Sequence, residues 1–414
     1  MEIKTLKNGI RVIIDDKNDD KNIIRVGAYI LGGTYTESKK TMHCYSMLQY
    51  LLEHLVSGKW PDGKRNIKRL ERKKIKYNSR CDDYEVCVQL EGTTDMQDVM
   101  LDMLVSCLTD FKPDMKTFED SKNKISKHLN RYRNDFNSTV HEIIYSKHRL
   151  FDCTHEERAK SINNLEINDI IEFAAHAIVP EKLVFFISGS VADFSVFKKY
   201  LNTLSKLQDS SPVFSMKNIL KFDSLEDKGI FRIKNDDSTK RIQLRWPINC
   251  TSFNFKKVAL IDAFGYSIHR ELNQKMCDEY NAVDYVNVKQ FFDPVNSNLS
   301  YLYIETHTPH PEKIKPIIIE IVRTLSNYSS ILTQELLTEF KDKCPKLSRS
   351  RVGFCASQLL WNQSSVKDFE DVSDIVNAIQ LHDLLHIAET EFNTDDVYLL
   401  YNNDTDVFSS DDHS

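Results

Sequence analysis

Two stretches far apart in this chain read alike. From Gly9 the sequence runs GIRVIIDDKNDDKNIIRVGAYI, and from Gly229 it runs GIFRIKNDDSTKRIQLRWPI. In each, a run rich in β-branched residues leads into an Asp-Asp turn, a second such run and then a helical pattern. Such a duplication restricts the fold. Each copy must bury the apolar face of its own strands against its own helices, so two similar α+β domains are the economical arrangement. The 414 residues allow two or three domains, and 41% hydrophobic with 28% charged residues is ordinary for a globular chain.

A pass along the chain fills in the copies. Strands are expected at Gly9–Asp15, Ile23–Leu31, Tyr84–Gly92 and Leu183–Ser190. Helices are expected over Met96–Leu108, Met115–Tyr132, Thr139–Phe151 and Phe194–Leu204. Met47, Leu48, Leu51, Leu52 and Leu55 form one apolar stripe at helical period. In the second copy a helix is expected near Lys256–Met276, with strands at Tyr285–Lys289 and Leu302–Thr306 and helices beyond Pro311. Residues 208–228 mix Ser, Pro and charge without a period and read as a linker. The domains are then 1–207 and 229–401, followed by an acidic, polar tail at 402–414.

Nine cysteines are scattered, odd in number and without a CxxC, which fits reduced thiols in a cytoplasmic or other reducing intracellular compartment. The N-terminus lacks a secretory apolar core or an Arg-rich transit pattern. No apolar run is long enough to cross a membrane, so no membrane partner is expected. Net charge is −6, which gives no whole-chain attraction to nucleic acid or acidic lipid. The basic run KRNIKRLERKKIK (Lys64–Lys76) reads either as a solvated amphipathic helix or as a patch for RNA or an acidic partner. It carries no interleaved aromatic platform, so nucleic acid is not the expected ligand. His141, His148 and His155 are spaced by two helical turns, too far to share one ion, and His382 and His386 lack a third ligand.

The apolar stripe also carries chemistry. QYLLEHLVSGK places Glu53 beside His54, with Tyr50 one turn before. Residues at i and i+4 share a helix face, and a carboxylate at i+3 sits where it can take a proton from metal-bound water. The inverted order HxxEH uses this geometry; here the first ligand position is tyrosine. The order LKNGIRVII, GAYILGGTYTESKK, YLLEHLVSGK, NSRCDDYEVCVQLEG resembles the opening of the pitrilysin/insulinase (M16) peptidases. The resemblance is clear over the first 200 or so residues and fainter beyond. It implies an α+β fold of two homologous M16-like domains, each an antiparallel-rich sheet with packed helices, facing each other across a chamber.

The resemblance also implies a site. The third family ligand is a glutamate some 75 residues beyond the second histidine; counting 74 from His54 reaches His128. One reading has Zn²⁺ held by His54 and His128, with Tyr50 or water completing the shell and Glu53 as general base. The other makes Tyr50 a packing residue and Glu53 and His54 remnants of a lost site. In the family the second domain supplies an arginine and a tyrosine seven apart that stabilise the oxyanion. Tyr285 fits the tyrosine, but Asp278 stands at the arginine position and Lys275 is the nearest cation. The expected function is that of an M16-like zinc metallopeptidase homologue acting on peptides or unfolded polypeptide, with a degenerate metal site. The alternative is a non-catalytic peptide-binding or assembly subunit, working as a homodimer or with a sister M16 subunit.

Overall fold

A computed structural model of the chain describes residues 1–16, 22–131, 136, 140, 155–208, 229–233, 240–250, 254–279, 283, 285–293, 300–347, 351–362, 372–392 and 397–402. They divide into two compact units. The first comprises Met1–Arg133, Arg149–Leu220 and Arg349–Phe369; the second comprises Asn134–His148, Lys221–Ser348 and Glu370–Ser414. The helix expected at Thr139–Phe151, nearly all of the linker and the tail beyond Asn402 lie outside the described residues.

The first unit is built on six strands: β1 (Glu2–Thr5), β2 (Arg11–Asp16), β3 (Ile23–Leu31), β4 (Lys76–Cys81), β5 (Glu85–Thr93) and β6 (Leu183–Gly189). Their order in the sheet is β1-β2-β6-β3-β5-β4. Only β2 and β6 run parallel; the other pairs are antiparallel. On one face, Ile24, Val26, Ala28 and Ile30 of β3 and Leu183, Phe185 and Ile187 of β6 pack in one cluster. Residues of helices α1 (Cys44–Glu53), α3 (Gln97–Thr109) and α7 (Phe194–Leu204) complete that cluster. Between them in sequence lie α2 (Gly63–Arg72), α4 (Met115–Arg131), α5 (His155–Asn164) and α6 (Ile167–Ala177).

The opposite face is covered as well, by a helix from far along the chain. Residues Arg351–Asn362, which the sequence groups with the second copy, pack on β2, β3 and β6 of the first sheet; this helix is α12. Arg11 of β2 donates to the Leu359 carbonyl, and Ser357 Oγ donates to Glu85 Oε2 of β5 at 2.8 Å. Cover on both faces explains why β6 reads LVFFISG, nearly unbroken in its apolar character, rather than alternating. The close packing leaves no room at Gly27, where a Cβ would stand 2.4 Å from the Phe186 ring and 2.6 Å from the Val88 carbonyl oxygen.

The second unit repeats this plan. Its strands are β7 (Ile230–Ile233), β8 (Lys240–Pro247), β9 (Val286–Phe291), β10 (Tyr301–Thr308) and β11 (Tyr398–Asn402), in the order β7-β11-β8-β10-β9. The pair β7 and β11 is parallel and the rest antiparallel. Setting β7, β11, β8, β10 and β9 against β2, β6, β3, β5 and β4 matches every neighbour and every direction. The duplication read from the sequence is thus a duplication of topology, with β1 an added edge strand among the described residues. The long helix α8 (Phe255–Asn273) buries Phe264, Ile268 and Leu272 against Ile242, Leu244 and Trp246, and Phe264 stacks on Phe392 at 4.2 Å between ring centroids. Helices α9 (Ile314–Ser326), α10 (Tyr328–Ile331), α11 (Gln334–Leu347), α13 (Val372–Ala378) and α14 (Leu381–Glu391) complete this unit. Cys44, Cys81, Cys87, Cys107, Cys250, Cys277 and Cys355 form no disulfide. Among the described residues no helix is long and apolar enough to cross a membrane.

Candidate functional site

Helix α1 is held from three directions, and what remains is a narrow strip. Leu48 and Leu52, with Leu55 just beyond, pack toward the sheet. Cys44, Met47 and Leu51 pack toward α4, α5 and α6 through Phe118, Ile125, Ile162 and Ile170. Burying such side chains contributes about 1.5–3 kcal/mol each. Tyr50, Glu53 and His54 fall on the strip left between these faces, half-buried at i, i+3 and i+4.

Both ends of α1 are fixed by buried polar groups. The preceding loop turns at Gly32 (φ +123°), where a Cβ would strike the Tyr45 ring. Glu37 accepts hydrogen bonds from the backbone N–H groups of His43 (2.9 Å) and Tyr45 (2.7 Å), at the start of the helix. Burial pushes the Glu37 carboxyl up to about 8, against those two bonds, and pushes the His43 imidazole down to about 4. At the other end His54 is the last residue before Leu55 turns left-handed (φ 49°). There the Asn66 amide of α2 donates to the carbonyls of His54 (3.1 Å), Leu55 (3.1 Å) and Trp60 (2.9 Å). Gly63 lets α2 approach: a Cβ would lie 2.5 Å from Thr117 Oγ1 and 3.1 Å from His54 Cβ.

Glu53 faces the edge strand. Its Oε2 accepts from Ser79 Oγ of β4 at 3.0 Å, and Ser79 Oγ accepts from Gln49 Nε2 at 2.6 Å. The carboxylate expected as general base is therefore engaged by a hydroxyl and a neighbouring amide. Among the described residues neither ring nitrogen of His54 has a hydrogen-bond partner, although both are buried. Burial, and then the positive charge of Lys124, lower the His54 pKa; Glu53, the Gly63 backbone and Asp114 act against them.

Lys124, on α4, is the residue that the structure brings to this strip. Its Nζ lies 5.4 Å from the centroid of the Tyr50 ring. The Tyr50 phenol is raised above its ordinary value by burial and by Glu53. His128 stands one turn further along α4, on the exposed side. Among the described residues no group of three His, Cys, Asp or Glu side chains is disposed to hold a metal. To ligate zinc the Tyr50 phenol would have to give up its proton, and the Lys124 charge beside the ring opposes a divalent cation, so this donor set fits zinc poorly.

Tyr285 and its surroundings lie in the second unit. Tyr285 leads into β9, its ring edge-on to His307 at 4.3 Å and its hydroxyl 3.5 Å from Glu305 Oε1. Lys275, within a π-helical turn over Gln274–Glu279, is paired with Glu271 at 2.7 Å. The nearest cation to the expected arginine position is thus committed elsewhere. The Ser79–Gln49–Glu53 arrangement and the Asn66 cap had no signal in sequence spacing, because each joins elements whose contact depends on the sheet.

No family model and no curated protein matches the sequence. Solved structures do resemble it over almost its full length. A protease from Helicobacter pylori is 16% identical, with a TM-score of 0.77, over 97% of this chain and 99% of that one. A peptidase M16 inactive domain from Pseudomonas fluorescens is 13% identical, with a TM-score of 0.80, over 98% of each chain. A chain of complex III2 from Candida albicans is 14% identical, with a TM-score of 0.71, over 97% of this chain and 95% of that one. Taken with the repeated sheet topology, these likenesses establish that the chain has the fold of the M16 peptidases.

Proposed function

We propose that this protein is an M16-type chain without zinc chemistry, which holds extended polypeptide along the edge strand β4 as a binding or assembly subunit. One observation carries the reading: the strip where the resemblance to M16 peptidases implies a metal presents a tyrosine in place of an imidazole, with Lys124 Nζ 5.4 Å from the centre of its ring. Strand β4 ends the sheet and pairs with β5 alone among the described strands. Its other edge therefore offers main-chain groups to a peptide, which give affinity without demanding a sequence. The likeness to an inactive M16 domain and to a chain of a multisubunit complex supports the same reading. A second copy or a sister M16 subunit is the partner such a chain would assemble with, in a reducing intracellular compartment where its cysteines stay free.

The test is calorimetric titration of an unstructured peptide into the purified chain with a chelator present, followed by mass spectrometry of the peptide. Binding with the peptide left intact is expected. Stoichiometric zinc that disappears in His54→Ala, together with cleavage that disappears in Glu53→Gln, would instead establish a peptidase.

A further inference from the structure

The basic run Lys64–Lys76 has no part in the strip on α1, and its structure gives it a use. Helix α2 meets the first turn of α4 around a cavity of 590 Å³. Lys64, Arg65 and Lys68 line it from α2, and Lys116 from α4. The two carboxylates in its wall are already engaged. Asp62 accepts from the Arg65 backbone N–H at 3.0 Å. Asp114 accepts from the Gly63 N–H (3.3 Å), the Thr117 N–H (2.9 Å) and the Thr117 hydroxyl (2.5 Å), which hold its pKa below the ordinary value. Lys64 is paired with Asp120 at 2.8 Å. Arg65, Lys68 and Lys116 form no ion pair among the described residues and point their charge at the same hollow.

We infer that this cavity binds the carboxylates of an acidic stretch of polypeptide. The cations are separate point charges around a concavity, which suits spaced side-chain carboxylates. Proteins that hold a single nucleic-acid strand combine such charge with aromatic platforms for its bases. The ring at hand, Trp60, is covered by the Arg69 guanidinium at 4.3 Å and donates its indole N–H to Asp102 at 3.2 Å. From α2 the exposed cations continue through Arg72 and Lys73 to Lys74, next to β4, whose first residue, Lys76, is paired with Glu91 at 3.0 Å. A peptide laid on the β4 edge therefore meets a positive stripe on leaving it. This inference rests on the proposed peptide-holding role of β4 for the class of ligand, and it adds a preference: acidic polypeptide over neutral.

Two fluorescent, unstructured peptides separate the inference from that role, one carrying a run of glutamates and the other glutamines at the same places. The glutamate peptide is expected to bind the wild-type chain more tightly, with an affinity that falls as salt is added. The double variant Arg65→Glu, Lys68→Glu changes two exposed side chains and should keep the wild-type unfolding temperature. It should weaken the glutamate peptide by about tenfold, as expected for reversing two solvent-exposed pairs, and leave the glutamine peptide unchanged. Equal binding of the two peptides, or a double variant that binds both as the wild type does, overturns the acidic preference while leaving the role of β4 intact. Failure of both peptides to bind overturns both. Binding of a single-stranded RNA that displaces the glutamate peptide and is itself lost in the double variant would reassign the cavity to nucleic acid.

Discussion

Replacing Glu37 by glutamine removes a buried ionisable group at the start of α1; its single amide oxygen can accept from only one of the His43 and Tyr45 N–H groups, which bond to separate oxygens of Glu37, so a pH-independent cost accompanies the change. Burial raises the Glu37 carboxyl from 4.5 to about 8. The folded chain thus holds this proton to higher pH than the unfolded chain does. The contribution of Glu37 to stability is complete below pH 4.5 and is lost as pH rises through about 8. At about 1.36 kcal/mol for each pH unit, the loss across that window is about 5 kcal/mol. His43 works in the opposite direction. Its folded value of about 4 lies below the ordinary 6.5, so its contribution is present above pH 6.5 and lost as pH falls through about 4. Because Glu37→Gln keeps His43, the difference between wild type and variant isolates the carboxyl. Urea unfolding of both proteins at several pH values across the window measures it. The variant should gain on the wild type by several kcal/mol from the acid end to the alkaline end, on top of any constant offset. A difference that stays flat with pH would refute the reasoning, since Glu37 would then ionise as an exposed carboxylate does.

Three further outcomes are expected. Asn66→Ala should cost about 2–3 kcal/mol in chemical denaturation, because it strips the donor shared by the carbonyls of His54, Leu55 and Trp60. Gly27→Ala should lower stability by about 2–4 kcal/mol, since its Cβ would meet the Phe186 ring and the Val88 carbonyl; calorimetric melting reads this. Metal analysis after dialysis against zinc should find no stoichiometric zinc in the wild type. It should find about one equivalent in the double variant Tyr50→His, Lys124→Glu, which puts an imidazole and a carboxylate where a phenol and an ammonium now stand.

Local periodicity made much of the fold legible. Strand Ile23–Leu31 and helix Phe194–Leu204 appear with the bounds that their residue patterns imply, because alternation or a helical stripe records which side is buried. The paired Asp-Asp turns led to the duplicated topology. The partners of each element were not legible. Residues 351–362 show an amphipathic helix, but amphipathicity does not say which sheet covers the apolar side, and that helix lies on the first. Short β1 and β11 offered four and five residues, too few for a pattern to stand out. At the site, the helix and its three half-buried residues followed from spacing. Counting along α4 reached His128, whereas the charge beside Tyr50 belongs to Lys124, one turn earlier.

The placement of α12 bears on how the chain is made. Translation delivers every strand of the first sheet long before residue 351 leaves the ribosome, so the nascent sheet waits with one greasy side bare. Closure of the first unit thus waits until β7 to β10 of the second have been made, and the usual sequence of one domain finishing before the next begins is not open to this protein. A fragment stopped at residue 348 would present Tyr29 and Phe186 to water and should be retained by chaperones or lost to aggregates. Supplied with the missing stretch as a separate peptide, the same fragment should recover.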